Sequence, residues 1–447
     1  MNKIKPRTLS GFMELLPPDQ VCFDAMKLKL QKSFSLYGFT PLDTPLMEAA
    51  EILLAKGGGE TEKQTYTLYK GDNYLALRYE LTASLAKYVS LHYNNLTFPL
   101  RRYEIGKVYR GERAQRGRFR EFYQADIDII GDGSLDIMNE AEIPGVIYKC
   151  LTSLGLNRFV IRMNNRKVLT GFFEILGIKK AADTLRAVDK LGKIGTEKLK
   201  KTLTGDLKLS QEQADEILAF VTSQGSAFTT LEKYAGRNET FDRGMEELTA
   251  LKKHLGGFGV PETHYKIDLS LARGLDYYTG TVYETYLTDY PEVGSVCGGG
   301  RYDNLTGFYT DRKMPGVGIS LGLTRLFFIL QEQKLLNEKF LSTPADVLII
   351  PMTEDQSHAV KLATTMRESG LRVQIYSENK KFKIKVSYAD KLGIPYVVFL
   401  GEDEINKGLI TVKDMTSGEQ TTSSYGLLTA GICEKIKALH KESPVKE

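Results

Sequence analysis

The sequence predicts an α+β fold in which a largely antiparallel sheet flanked by helices is interrupted by a helical subdomain and followed by a smaller α/β domain. Three observations predict it. Residues 100 to 131 hold two strand-like runs, RRYEIGKVYR and FREFYQADIDII, joined by the polar turn GERAQRG, which reads as a long antiparallel hairpin. Residues from about 170 to 255, including LRAVDKLGKIGTEKLKKTL and SQEQADEILAFVTSQG, are rich in Lys and Glu and poor in β-branched runs, so they read as inserted helices. The C-terminal part alternates, with ADVLIIPM, LRVQIY, PYVVFLG and LITVKDM as strands and helices ending at Gly370 and Gly393.

The remaining elements follow in chain order. From Val21 to Tyr37 the apolar residues recur at helical spacing and stop at Tyr37-Gly38, which predicts an amphipathic helix. FTPLDTPLME is strand-like. Tyr74 to Arg78 alternates and passes into LTASLAKYVSLHY, which has helical period, so Glu80 sits where a strand hands over to a helix. The strand pattern returns from His264 to Leu287, followed by the glycine cluster Gly298 to Gly300 and by GVGISLGLTRLFFIL, a buried strand running into a helix. These readings divide the chain into a larger domain over residues 1–330, a helical insertion within it over 170–255, and an α/β domain over 344–440.

Composition narrows the class. Lys and Arg number 60 against 56 Asp and Glu, so the chain is only mildly basic, and nucleic-acid binding is allowed but not demanded. The four cysteines, Cys22, Cys150, Cys297 and Cys433, are scattered without a CxxC pair or zinc spacing, which suits reduced thiols in a cytoplasmic protein. MNKIKPRTLSGF lacks the apolar core of a signal peptide, and no uncharged apolar run reaches the roughly 18 residues a membrane span needs. A soluble protein without a membrane partner is expected.

The residues that carry chemistry cluster in three places. Around the hairpin turn stand Arg110, Arg113, Arg116, Arg118 and Arg120, with strand spacing placing Arg118 and Arg120 on one face beside Phe122 and Gln124. Converging guanidinium groups suit a polyphosphate, because each fork pairs with phosphate oxygens. An isolated turn of this kind is more often a solvated face neutralised by acids such as Glu104, Glu112 and Glu121. Gln124, Asp126 and Asp128 alternate among isoleucines, so two carboxylates and an amide share a face that would ordinarily be core; with Glu80 and Thr82 they suit an ammonium group. The competing reading is that Glu80 caps a helix and Asp128 meets a nearby arginine. In LARGLDYYTGTVYE, Arg273, Asp276, Tyr277 and Tyr278 lie beside Gly274 and Gly280, which allow close backbone approach to a ligand. GSVCGGGRYDNL has no GxGxxG-helix context, so a dinucleotide fold is not supported.

With these residues in place, the chain resembles the class II aminoacyl-tRNA synthetases and, among them, the histidyl-tRNA synthetase family. RGLDYYTG at 273–280 and GGGRYDNL at 298–305 resemble that family's two signatures. The hairpin YRGE...RFREFYQADIDIIG is similar to class II motif 2, GVGISLGLTRLFFIL to motif 3 with its arginine at Arg325, and LRYELTAS to the histidine-contacting element. The C-terminal segment FKIKVSYADKLGIPYVVFLGEDE resembles the anticodon-binding domain of class IIa enzymes. Motif 3 commonly carries an acid just before its arginine, where this chain has Thr324.

The resemblance implies a class II catalytic domain with an antiparallel sheet, a helical insertion and an anticodon-binding α/β domain, and a ligase that forms histidyl-adenylate from L-histidine and ATP with Mg²⁺ and passes histidine to the 3′ end of tRNA(His). It implies a homodimer and no DNA partner. It further implies that Arg110, Glu112, Arg118 and Arg325 bind ATP, and that Glu80, Leu81, Thr82, Arg110, Gln124, Asp128, Arg273, Tyr277 and Tyr278 bind histidine. Glu80, Thr82 and Gln124 would hold the α-ammonium, and Asp128 and Tyr278 the imidazole nitrogens. Arg110, Arg273 and Arg325 would act catalytically, with Arg273 between the substrate carboxylate and the α-phosphate. Lys380, Lys381, Lys383 and Lys385 are candidates for contacts to the RNA backbone, although a lysine run is more often a solvated face. His92, His254, His264, His358 and His440 occupy no motif and read as structural or solvated. Two other readings share the fold: a catalytically silent histidine-binding regulatory paralogue, which usually lacks the anticodon domain and the ATP arginines kept here, and an RNA-binding pseudo-synthetase, for which Thr324 speaks.

Overall fold

The computed structural model describes residues 3–55, 60–223, 225–272, 277–336 and 342–439. The chain divides into two compact units, residues 1–13 with 29–333 and residues 14–28 with 334–447. Its first part runs α1 (Pro17–Leu36), β1 (Thr40–Pro41), β2 (Met47–Ala49), α2 (Ala50–Leu53), α3 (Glu60–Gln64), β3 (Thr67–Lys70), β4 (Asn73–Leu77), α4 (Thr82–His92), β5 (Leu100–Tyr109), β6 (Glu121–Ile130), α5 (Ile137–Ser153) and β7 (Phe159–Asn165). A helical block follows: α6 (Arg166–Ile175), α7 (Ala181–Val188), α8 (Leu191–Lys201), α9 (Gln211–Val221), α10 (Ala227–Glu232) and α11 (Glu239–Leu255). Then come β8 (Tyr265–Ile267), β9 (Tyr278–Leu287), β10 (Ser295–Tyr302), β11 (Gly316–Gly322) and α12 (Leu323–Glu332).

The larger sheet has the order β1-β5-β6-β11-β10-β9-β7-β8, antiparallel except for the short pairs β1–β5 and β7–β8 at its two ends. Its hairpin β5–β6 forms because both strands alternate: Ala125, Ile127 and Ile129 are fully buried on one face, while Gln124, Asp126 and Asp128 occupy the other. The expected single strand FTPLDTPLME is divided. Thr40 and Pro41 pair with β5, whereas Met47 to Ala49 join β4 and β3 in a separate three-stranded sheet. Pro41 and Pro45 cannot donate to a ladder, which accounts for the break between them.

The helical block carries its own core of Phe172, Phe220, Phe241, Leu203 and Leu248. Helices α6 and α11 cross closely because two glycines face the crossing. A Cβ on Gly171 would lie 2.3 Å from the Phe241 nitrogen, and one on Gly244 would lie 2.6 Å from the Val168 nitrogen.

The second unit contains β12 (Val347–Pro351), α13 (Ser357–Glu368), β13 (Val373–Ile375), α14 (Phe382–Lys391), β14 (Tyr396–Leu400), α15 (Glu402–Lys407), β15 (Leu409–Asp414), β16 (Gln420–Ser424) and α16 (Tyr425–Leu439). Its sheet, ordered β13-β12-β14-β15-β16, is parallel through β13, β12 and β14 and antiparallel beyond. Val347, Ile349 and Val398 serve one hydrophobic face and Leu348, Ile350 and Val397 the other, so both faces are covered, as parallel strands require.

Candidate active site

The site is built from strand register. In β6, Asp128 stands opposite Arg102 of β5 and Gly318 of β11, while Asp126 stands opposite Glu104 and Ser320. Residues directly opposed in a ladder share a face, so two acids and an amide from β6 meet an arginine and an acid from β5 beneath one floor. Gly318 leaves the room this needs: a Cβ there would lie 2.1 Å from Asp128 Oδ1 and 2.5 Å from the Ile127 carbonyl oxygen. The glycine cluster on β10 acts similarly, since a Cβ on Gly299 would lie 2.1 Å from the Gly318 oxygen.

Above this floor lies an acidic and phenolic chamber of about 370 Å³, lined by Glu80, Gln124, Asp126, Asp128, Tyr278 and Tyr302 among others. Tyr302 donates its hydroxyl to Asp128 Oδ1 at 2.7 Å, and Tyr277 donates to Glu80 Oε2 at 3.2 Å. Gln124 gives its amide N–H to the Ser320 hydroxyl, which orients the side chain and leaves Oε1 buried with no hydrogen-bond partner among the described residues. A buried acceptor so placed calls for a donor from the chamber.

Burial pushes Asp128 up to about 6, against the opposing pull of Arg102 and the Tyr302 hydrogen bond. Burial pushes Asp126 higher, to about 8, with Arg102 and a hydrogen bond from Ser320 again opposing. Of the two buried carboxyls, Asp126 is thus the more reluctant to ionise and Asp128, beside Arg102, the readier. Burial also raises the phenols of Tyr277, Tyr278 and Tyr302, which remain hydrogen-bond donors at any physiological pH.

A second chamber of about 490 Å³ adjoins the first and shares Arg110, Gln124, Gly298 and Ser320 with it. Its character is opposite, for Arg110, Arg118 and Arg325 line it together with Phe119 and Phe122. The Arg110 guanidinium sits 4.4 Å from the Tyr79 ring and 5.1 Å from that of Phe122, and its Nε donates to the Tyr79 carbonyl at 3.3 Å. Arg325 is held by the carbonyls of Ser295, at 3.2 Å, and Val293. Arg118 lies 3.6 Å from Glu112.

Most of the residues singled out in the sequence converge here: Glu80, Thr82, Asp128, Tyr277 and Tyr278 in the first chamber, Glu112, Arg118 and Arg325 in the second, and Arg110 and Gln124 in both. Leu81 is fully buried and lines neither chamber. Arg273 lies outside the described residues. The expected sharing of a strand face by Arg118 and Arg120 is not seen, because β6 begins at Glu121. Arg120 instead turns back to the Glu112 carbonyl at 3.1 Å, with its stem against Gly11. Thr324, at the motif 3 departure, accepts the Tyr123 backbone N–H at 2.8 Å and so ties α12 to β6. His264 packs edge-on against Tyr148 and Phe159, consistent with a structural role.

The competing expectation that Asp128 meets an arginine holds, but the partner is Arg102, which sequence reasoning passed over, and Glu104 lies beneath the floor rather than at a solvated turn. Arg102 and Glu104 are 1% exposed, and Arg102 Nη2 lies 2.6 Å from Asp128 Oδ2. Glu104 is also held by Arg78 at 2.6 Å and by the Thr44 backbone N–H at 3.1 Å. Gly106 admits the Arg78 guanidinium, since a Cβ there would lie 2.2 Å from Nη2. The alternation of Arg102 and Glu104 within RRYEIG was the available signal, but solvated strands show the same pattern.

The family model described as Histidyl-tRNA synthetase matches residues 11–326, and that described as Anticodon binding domain matches residues 346–434. The chain is 50% identical over 424 residues to a histidine–tRNA ligase of Clostridium tetani, covering 94% of this chain and 96% of that protein. It is 45% identical over 420 residues to one from Finegoldia magna, covering 93% and 97%. The crystal structure of histidyl-tRNA synthetase from Nostoc sp. PCC 7120 superposes with a TM-score of 0.88 at 37% identity, covering 97% of this chain and all of that one.

Proposed function

The chain belongs to the histidyl-tRNA synthetase family and is a histidine–tRNA ligase using ATP, and on that premise we propose that its two adjoining chambers divide the substrates between them. The observation that carries this reading is the segregation of charge, with carboxylates and phenols in one chamber and guanidinium groups in the other, and Arg110 at the boundary. Histidine occupies the acidic chamber. Its α-ammonium is held by Glu80, Thr82 and the unpartnered Gln124 Oε1, and its imidazole by Asp128 and Tyr278. ATP occupies the cationic chamber, with Arg110, Arg118 and Arg325 on its phosphates and the aromatic side chains beside its base.

The reaction joins two anions, since the histidine carboxylate attacks the α-phosphorus and pyrophosphate leaves. The work of the site is to screen that repulsion and hold the line of attack, which fixed guanidinium groups do without a covalent intermediate. Arg110 stands at the junction, and Arg273 serves the same charge. In the second step the terminal 3′-hydroxyl of tRNA attacks the activated carbonyl.

Mg²⁺ suits this donor set in a limited way: it is commonly held by one or two carboxylates plus substrate phosphates, and Glu112 supplies one carboxylate in the cationic chamber. There it would neutralise phosphate charge. The second unit reads the anticodon, with exposed Lys380, Lys381 and Lys383 toward the RNA backbone. Two copies pair as a homodimer in the cytoplasm, as the family relationship suggests.

Binding measured one substrate at a time tests the division. Glu80→Gln is expected to weaken histidine and leave ATP within about twofold, and Arg325→Ala the reverse. Equal losses of both ligands in each variant would refute it.

A further inference from the structure

Asp128 is faced by charged or titratable groups from four strands and one turn, while β11 sets Gly318 opposite it. Arg102 and Glu104 come from β5, Asp126 from its own strand, Tyr278 from β9 and Tyr302 from β10, while Glu80 faces it from the β4–α4 turn. Arg102 is the cation among these in contact with it: Nη2 stands 2.6 Å from Asp128 Oδ2, and Nη1 stands 3.7 Å from Glu104 Oε2. Behind Glu104 lies Arg78, so the floor is an alternating line of buried charges, Arg78–Glu104–Arg102–Asp128, ending at the chamber. Asp128 is 3% exposed and Arg102 1%.

The line has a direction. Glu104 is held by Arg78 and Thr44 on its other side, and the Arg102 guanidinium stands closer to Asp128, at 2.6 Å, than to Glu104, at 3.7 Å. A carboxylate this deep would take up a proton near neutrality were the cation absent, and a protonated Asp128 would offer a donor where a ring N–H needs an acceptor.

We propose that Arg102 is a positioning residue for substrate specificity, which keeps the Asp128 carboxylate ionised and oriented as the acceptor for an azole ring N–H in the acidic chamber. This rests on the proposed assignment of Asp128 to the imidazole. Arg102 touches no substrate and acts through Asp128.

The experiment is the pH dependence of histidine affinity in the full-length chain, by calorimetric titration from pH 5.5 to 9, with ATP affinity measured in parallel. The substrate ring titrates identically against every variant, so differences between profiles belong to the protein. In Arg102→Gln the fall in histidine affinity on acidification is expected to begin at least about one pH unit higher than in the parent, with roughly tenfold weaker binding at pH 7 and ATP affinity within about twofold. Arg102→Lys, which keeps the charge on a shorter reach, is expected to fall between the two; it provides the measurement should Arg102→Gln not fold. A folded variant of either kind whose profile has the parent midpoint overturns the proposal, as do equal losses for histidine and ATP. Asp128→Asn separates the two readings: if it leaves histidine affinity unchanged, the imidazole assignment itself is wrong, whereas weakened histidine binding in Asp128→Asn beside a parental profile in Arg102→Gln removes Arg102 alone.

Discussion

Replacing Asp128 by Asn removes one charge while keeping the side chain's shape, and the structure gives the size of the effect on two separate quantities. Arg102 loses its partner at 2.6 Å and keeps Glu104 at 3.7 Å, both within a floor almost sealed from water. Breaking a buried pair from one side typically costs about 3–5 kcal/mol. Here the lower end, about 3 kcal/mol, is expected. The Arg78–Glu104 pair persists, and the Tyr302 hydroxyl can still donate to the amide oxygen. Histidine loses a charged acceptor, worth about 1.5–3 kcal/mol or roughly 10- to 150-fold in affinity. ATP affinity should stay within about twofold, because the arginines of the cationic chamber are held by other groups, Arg110 by the Tyr79 carbonyl, Arg118 by Glu112 and Arg325 by the Ser295 carbonyl. Calorimetric titration of each substrate alone reads the affinities, and chemical denaturation of the ligand-free protein at pH 8 reads the stability. The difference in stability from the parent should widen as pH falls from about 8 toward 4, because folded Asp128 takes up a proton that the unfolded carboxyl does not bind until near pH 4. Unchanged histidine affinity, or an equal loss for ATP, would refute the reasoning.

Three further outcomes are expected. Gly318→Ala should destabilise the ligand-free protein by about 1–3 kcal/mol and weaken histidine more than ATP, because its methyl group would press on Asp128 Oδ1 and the Ile127 carbonyl together; denaturation and separate titrations check this, and a neutral result would mean the strand shifts freely. Thr324→Val should cost about 1 kcal/mol or more through loss of the hydroxyl that accepts the Tyr123 N–H, with the Mg²⁺ dependence of pyrophosphate exchange unchanged; an altered Mg²⁺ requirement would place that hydroxyl at a metal. Asp126 and Asp128 both bind protons more tightly folded than unfolded, where carboxyls titrate near 4. Their contribution to stability is therefore greatest at low pH and is lost as pH rises from about 4 toward 8. Asp126→Asn should flatten the upper part of that decline, between about pH 6 and 8, in melts of the ligand-free protein; a parental slope there would show that Asp126 does not carry the proton.

Much of the site was legible because strand alternation is local. Gln124, Asp126 and Asp128 stand at spacing two among isoleucines, which is enough to place polar groups together on a face that core residues would otherwise occupy. The handover from Tyr74–Arg78 to helix likewise put Glu80 at a cleft, as β4 and α4 bear out. Arg118 and Arg120 misled for the same local reason, since alternation carries meaning only inside a strand, and β6 starts one residue beyond Arg120.

Period, turn chemistry and motif order are properties of neighbours along the chain, and they sufficed for most of the elements, for the family and for most of the side chains that meet in the two chambers, though not for the split of FTPLDTPLME between two sheets. Which charges oppose one another depends on how distant strands come into register. Arg102 meets Asp128, Gly318 yields to its carboxylate, and Tyr302 reaches its other oxygen through the registers of β5, β11 and β10. Those contacts join residues far apart in sequence, and a slip of one position in any ladder would send each side chain to the opposite face.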